Sequence, residues 1–141
     1  MSIKNGSPSI ALVEDNPGDV YLFRRALRDK GIDFQLALYE DGAAAIKAFW
    51  AINNDDAAPL PDLIVLDLNL PKFEGIEVLS SVRKYYRFYG IPIAVLTSSE
   101  SPEELERAIS LGVTRYLAKP TQLEEFMEIV GQGIKDLLPI P

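Results

Sequence analysis

The chain contains no cysteine and no histidine. Without cysteine it has neither disulfides nor a thiolate nucleophile. Without histidine it lacks the commonest transition-metal ligand and general base, so soft-metal sites and histidine-dependent triads are excluded. Nowhere do 18 apolar residues run consecutively, and the first eight residues hold no apolar core of signal-peptide length, which predicts a cytoplasmic protein with no membrane segment. Basic residues are the minority, 14 Lys and Arg against 21 Asp and Glu, and the net charge of −7 opposes the phosphate backbone of nucleic acids, so DNA and RNA are not expected as direct ligands. What is present is 141 residues, 48% of them hydrophobic, a size suited to one globular domain with a substantial core.

The most telling stretch is Leu63-Ile64-Val65-Leu66-Asp67-Leu68-Asn69-Leu70-Pro71, in which four apolar residues deliver a carboxylate to a proline-containing loop. A run apolar on both faces suits a strand covered on both sides. An ionised Asp67 would be costly inside such a strand without a partner, so it belongs at the C-terminal end, where open α/β sheets build their sites. A lone Asp before a proline loop is more simply a turn cap; the ends of the other strands argue otherwise.

Residues 1–8 are polar and contain Gly, Pro and Ser, which predicts a flexible tail, and Ile10-Ala11-Leu12-Val13 is a short apolar strand. It runs into Glu14-Asp15-Asn16-Pro17. Asn16 suits a helix N-cap and Pro17 the first helical position, so a helix is expected over residues 17–30, stopped by Gly31. Taken alone, Glu14 and Asp15 are acidic dressing of a helix start, worth up to ~1 kcal/mol. Residues 34–39 alternate as a second strand, followed by an Ala-rich helix to Ile52 whose Phe49 and Trp50 read as packing. Residues 53–61 form a surface loop before the Asp67 strand, and Lys72-Phe73-Glu74-Gly75 reads as a turn after it.

Ile76, Leu79 and Val82 then recur at helical spacing, and the bases and aromatics of residues 83–90 read as a helix end packing its rings. Residues 91–96 are a fourth strand ending at Thr97. Ser101-Pro102-Glu103-Glu104 opens a capped helix that stops at Gly112. Residues 113–118 are a fifth strand running into Lys119-Pro120, and a last helix covers residues 122–138. The domain is thus expected over residues 9–138, with a short tail at 139–141 and no output domain.

Five strands alternating with five helices predict a doubly wound parallel sheet, since parallel strands need helical crossovers. Four strands end in chemistry: Glu14 and Asp15 after the first, Asp67 after the third, Thr97 after the fourth and Lys119 after the fifth. One sheet edge therefore gathers three carboxylates, a hydroxyl and an ammonium.

In order and spacing, these residues resemble the receiver domain of two-component response regulators over nearly the whole chain. The resemblance implies a flavodoxin-like strand order of 2-1-3-4-5. It also implies Asp67 as phosphoryl acceptor, Glu14 and Asp15 as the acidic pocket, Thr97 as the hydroxyl that engages the phosphoryl group and Lys119 as its ammonium partner. Tyr116, three residues before Lys119, matches the family's switch aromatic, expected to follow Thr97 inward on phosphorylation. A cis Lys119-Pro120 peptide is likewise implied. The Glu-Asp-Asn-Pro-Gly-Asp opening, the short Leu-Pro-Ile-Pro tail and the missing output domain resemble single-domain regulators that partner bacterial and cyanobacterial phytochromes. A histidine kinase of that kind is the implied donor.

Three crowded carboxylates repel one another and should draw in a hard divalent cation, best Mg2+, with Asp15 and Asp67 giving side-chain oxygens, Asn69 its backbone carbonyl, and Glu14 acting through water. Asp67 is then the nucleophile for an in-line phosphoryl transfer. Two other functions share parts of this pattern. A Mg2+-dependent phosphohydrolase with an aspartyl nucleophile would want an acid two residues on, where Asn69 stands; a receiver-like interaction module without phosphate turnover predicts an eroded site, and the site is intact. A flavin-binding module would want a phosphate loop where Glu14-Asp15 stand. On the last helix, Leu123, Met127, Val130, Ile134 and Leu137 form the stripe expected to dock on the sheet. Phe126 and Ile129 fall at its edge and outside it, and with Tyr116 they are the expected contact patch of a homodimer.

Overall fold

A computed structural model of the chain describes residues 7–70 and 74–139. β1 (Ser9–Val13), β2 (Gln35–Tyr39), β3 (Leu63–Leu66), β4 (Ile93–Thr97) and β5 (Arg115–Ala118) alternate with α1 (Pro17–Asp29), α2 (Gly42–Asn53), α3 (Gly75–Val82), α4 (Pro102–Ser110) and α5 (Leu123–Lys135). All strand pairs are parallel, in the order β2-β1-β3-β4-β5, which is the flavodoxin-like arrangement. The turn expected at residues 72–75 and the tails expected at residues 1–8 and 139–141 lie mostly outside the described residues.

The period-two alternation of strand side chains divides the apolar residues between two cores. Ile10, Leu12, Leu63, Val65, Ala94 and Leu96 face α1 and α5, whereas Ala11, Val13, Ile64, Leu66, Ile93 and Val95 face α2, α3 and α4. β1, β3 and β4 are therefore apolar on both faces, as four consecutive hydrophobic residues before Asp67 require. The helix starts follow from their caps: Asn16 accepts from the Asp19 N–H, Asp41 from Ala44 and Ser101 from Glu104.

Two placements on α5 depart from the sequence pattern. Phe126, expected at an exposed contact patch, is buried in the core against the α1 side, and Leu123, expected to dock on the sheet, is half exposed at the first position of the helix. Gly131 explains the wider buried arc, since a Cβ there would meet the Ala26 carbonyl oxygen at 2.8 Å. Without side chains at Gly131 and Gly133, α5 approaches α1 and β5 closely enough to enclose Phe126 as well as Val130 and Ile134. Ile129 remains exposed, as expected.

Beneath the second face, Phe49 packs edge-on to Tyr39 and Phe88, with centroids 5.4 and 5.5 Å apart. Trp50, read from sequence as packing, is instead largely exposed beside it. A short 3₁₀ turn, Tyr86–Phe88, carries Phe88 inward, and Arg87 fastens that turn by donating to the carbonyls of Ile52, Asp55 and Ala58 at 2.7–2.9 Å. Because Phe88 is fully buried, Phe88→Ala should cost about 3–5 kcal/mol of stability, measurable as a shift of the urea midpoint.

Candidate functional site

Strand register brings the chemistry to one edge. Val13 lies opposite Leu66, so Glu14 and Asp67 leave the C-terminal ends of adjacent strands, and the Asp67 N–H donates to the Val13 carbonyl at 3.0 Å. Thr97 pairs with Ala118, and the Lys119 N–H donates to the Thr97 carbonyl at 2.8 Å, which turns the lysine over the sheet edge. Gly75 opens α3 directly against Asp67: its N–H donates to the Leu68 carbonyl at 3.1 Å, and a Cβ there would collide with the backbone of Asp67 and Leu68.

Glu14, Asp67 and Thr97 are buried, so their polar atoms must be satisfied internally. Asp67 Oδ2 accepts from Lys119 Nζ at 2.7 Å, while Oδ1 accepts from Thr97 Oγ1 and from the Asn69 N–H, both at 2.9 Å. Lys119 Nζ donates further to Glu14 Oε1 at 2.6 Å and to Asp19 Oδ2 at 2.8 Å. Asp15 is exposed beside them, and carboxylate oxygens of Glu14, Asp15 and Asp67 lie within 4.8 Å of one another.

Three carboxylates thus hold one ammonium, and a fourth, Asp15, lies beside two of them. Burial foremost pushes the Glu14 carboxyl up to about 7; the Asp67 charge adds to the rise, and the Lys119 hydrogen bond opposes it. Burial alone would lower the Lys119 pKa, but its hydrogen bonds to Asp19, Asp67 and Glu14 outweigh that and hold it above the usual range. The surplus negative charge and the all-oxygen donor set fit a hard divalent cation.

Residues 10–131 match the model of the response regulator receiver domain. The chain belongs to this family. The receiver is 38% identical to a probable methanogenesis regulatory protein, FilR2, of Methanothrix harundinacea (strain 6Ac) over 87% of this chain and 79% of that protein. It is 36% identical to response regulator Rcp1 of Synechocystis (strain PCC 6803), over 96% of this chain and 92% of Rcp1. The Mn2+-bound crystal structure of Rcp1 superposes with a TM-score of 0.83 at 33% identity, covering 95% of this chain and 99% of that one. The phosphorylated cyanobacterial phytochrome response regulator RcpA gives 0.81 at 32% identity, covering 94% of each chain.

Within the receiver, the residues read from sequence as the site, Glu14, Asp15, Asp67, Thr97 and Lys119, converge at one strand edge. Asn69 meets Asp67 through its N–H. Tyr116 is half buried on β5, with its hydroxyl pKa raised by burial, then by Glu104 and Asp67. One expectation changes. The Lys119–Pro120 peptide is trans, and strand pairing with Thr97 already directs the lysine inward. The Thr97 hydroxyl faces Asp67 and donates to its Oδ1.

Asp19 was not among the residues read as functional. Its signal is an acid in the first turn of α1, five residues after Glu14, and first-turn acids are commonplace because they suit the helix dipole.

A proton and a divalent cation would compete for Glu14 if the acidic cluster takes up a metal. In the metal-free protein the raised pKa means that this group favours folding fully below about 4.5, and that the contribution is lost as pH rises through about 7. Mg2+ should oppose the loss. The rise in thermal midpoint on adding Mg2+ is therefore expected to grow between about pH 5 and pH 8 and to flatten in Glu14→Gln.

Proposed function

We propose that this receiver is a stand-alone response regulator that takes a phosphoryl group onto Asp67 from a histidine kinase in a Mg2+-dependent reaction, working in the cytoplasm. The observation that carries the reading is the setting of the Asp67 carboxylate: it is buried and fixed at both oxygens by Lys119, Thr97 and the Asn69 N–H, beside two further acids. Glu14, Asp15 and Asp67, with the Asn69 carbonyl, would hold Mg2+, which supplies charge neutralisation at the phosphoryl oxygens.

The chain's own groups do the rest. An Asp67 oxygen is presented for in-line attack, Lys119 balances charge gathering on the phosphoryl group, and the Thr97 hydroxyl can transfer its hydrogen bond from Asp67 to a phosphoryl oxygen. The 141 residues contain no histidine, so the phosphohistidine donor lies outside them. The likeness to Rcp1 and to the phytochrome response regulator RcpA favours a phytochrome kinase. Asn69 in the place of a second acid disfavours a dedicated phosphohydrolase, so turnover should be limited to slow self-phosphorylation from small donors and slow dephosphorylation.

Acetyl phosphate with Mg2+ should add one phosphoryl group to the wild type by intact mass, and none to Asp67→Asn or when Mg2+ is chelated. Full labelling of Asp67→Asn would refute Asp67 as acceptor.

Pairing of two copies through β5 and α5 forms part of the same proposal. Ile129 and Leu123 are exposed on α5 and Ile109 on α4, while β5, with Tyr116, is an edge strand. Phosphate on Asp67 would alter that face through Thr97 and Tyr116. Sedimentation should show a concentration-dependent dimer that Ile129→Asp weakens; a wild type that remains monomeric at high concentration, phosphorylated or not, ends this part of the proposal.

A further inference from the structure

Lys119 uses all three of its ammonium protons on carboxylates, and two of those carboxylates have other duties in phosphoryl transfer. Glu14 and Asp67 belong to the acidic cluster that fits a divalent cation; Asp19 does not. Asp19 reaches the ammonium from the first turn of α1 at 2.8 Å, with its side chain 28% exposed against 4% for Glu14 and for Asp67. Its backbone is fixed independently, because its own N–H donates to the Asn16 cap at 3.1 Å.

Resting on the receiver reading above, we infer that Asp19 is a positioning residue for phosphoryl transfer, keeping Lys119 at the acceptor while Glu14 and Asp67 change partners. In transfer from acetyl phosphate, an Asp67 carboxylate oxygen forms a bond to phosphorus, the bond from phosphorus to the acetyl oxygen breaks, and acetate leaves with the electron pair. The negative charge of Asp67 thereby moves outward onto phosphoryl oxygens, and the ammonium has to meet it there. A lysine released by two partners at once regains the freedom of a long, flexible stem and favours water. The Asp19 carboxylate removes that freedom from the side facing away from the cation cluster. It holds the ammonium in its charged form without being consumed by the reaction.

The role is specific to the state of the site, which distinguishes it from ordinary structural support. Without Mg2+, Glu14 and Asp67 suffice to hold Lys119 even in Asp19→Ala. With Mg2+ drawing on Glu14 and Asp67, Asp19 is the one of the three partners of Lys119 that lies outside the cation cluster.

The test follows the Lys119 ammonium protons by nitrogen-edited NMR, with Mg2+ alone as the probe, and then labelling by acetyl phosphate. The wild type should keep slowly exchanging Lys119 protons with and without Mg2+. Asp19→Ala should keep them only without Mg2+, and its labelling at saturating Mg2+ should slow about tenfold, with the KM for acetyl phosphate little changed. Asp19→Asn, which retains a hydrogen-bond acceptor but no charge, should recover part of both.

Slow exchange in Asp19→Ala regardless of Mg2+, with labelling at the wild-type rate, would overturn the inference and leave the receiver reading standing. So would a loss of the Lys119 signal that is the same with and without Mg2+, since that is a structural effect. A wild type that takes up no phosphoryl group removes the proposed phosphoacceptor function and this role with it.

Discussion

One ammonium makes the site possible. Glu14 and Asp67 are both withdrawn from water at the end of a sheet covered on both faces, and each such charge costs several kcal/mol to desolvate even after relaxation. Lys119, touching both at 2.6–2.7 Å, offsets that cost and makes two neighbouring carboxylates compatible with a folded chain. The balance is incomplete because Asp15 and Asp19 add negative charge that the lysine cannot neutralise. A site folded with an anionic surplus attracts a cation, and a carboxylate set among hydrogen-bond donors, as Asp67 is, is prepared for charge to shift outward. Folding and chemistry thus depend on the same contact.

The sheet supplies the precision. Residues 63–66 are buried on both sides, which leaves β3 no register in which Asp67 could move without exposing apolar side chains. Its neighbours carry their own functional groups at the same edge, because in a parallel sheet every strand ends in the same direction. The helices then complete the polar accounting: α1 brings Asp19 through the Asn16 cap, and α4 is tied back to the β4 end by Ser99 donating to Glu104.

Strand ends were readable in the sequence because each functional residue follows an uninterrupted apolar run, and only the end of such a run is compatible with Glu14, Asp67 or Lys119. Asp19 was not readable that way, for its chemistry depends on a lysine a hundred positions distant and its local pattern is that of any helix start. Phe126 failed for a different reason. Counting large apolar residues around α5 gives a narrow stripe, but the closeness of approach is set by Gly131 and Gly133, which carry no hydrophobic signal at all. The peptide before Pro120 could not be settled by residue type, since pairing of β5 with β4 already orients Lys119. Surface aromatics such as Trp50 were misjudged because a ring at a helix end packs or protrudes according to the neighbouring loop, here closed by Arg87.

Gly75 sets a boundary for redesign. The outer face of α2 and, at Glu77, that of α3 are open to new side chains, and a library that recodes them for another binding protein would leave the Asp67 strand untouched. Position 75 is the exception, since even a methyl group would press on the backbone that carries Asp67. A partner-swapping campaign that included this codon would select against its own chemistry, and the damage would resemble a failure to bind although the binding surface was sound.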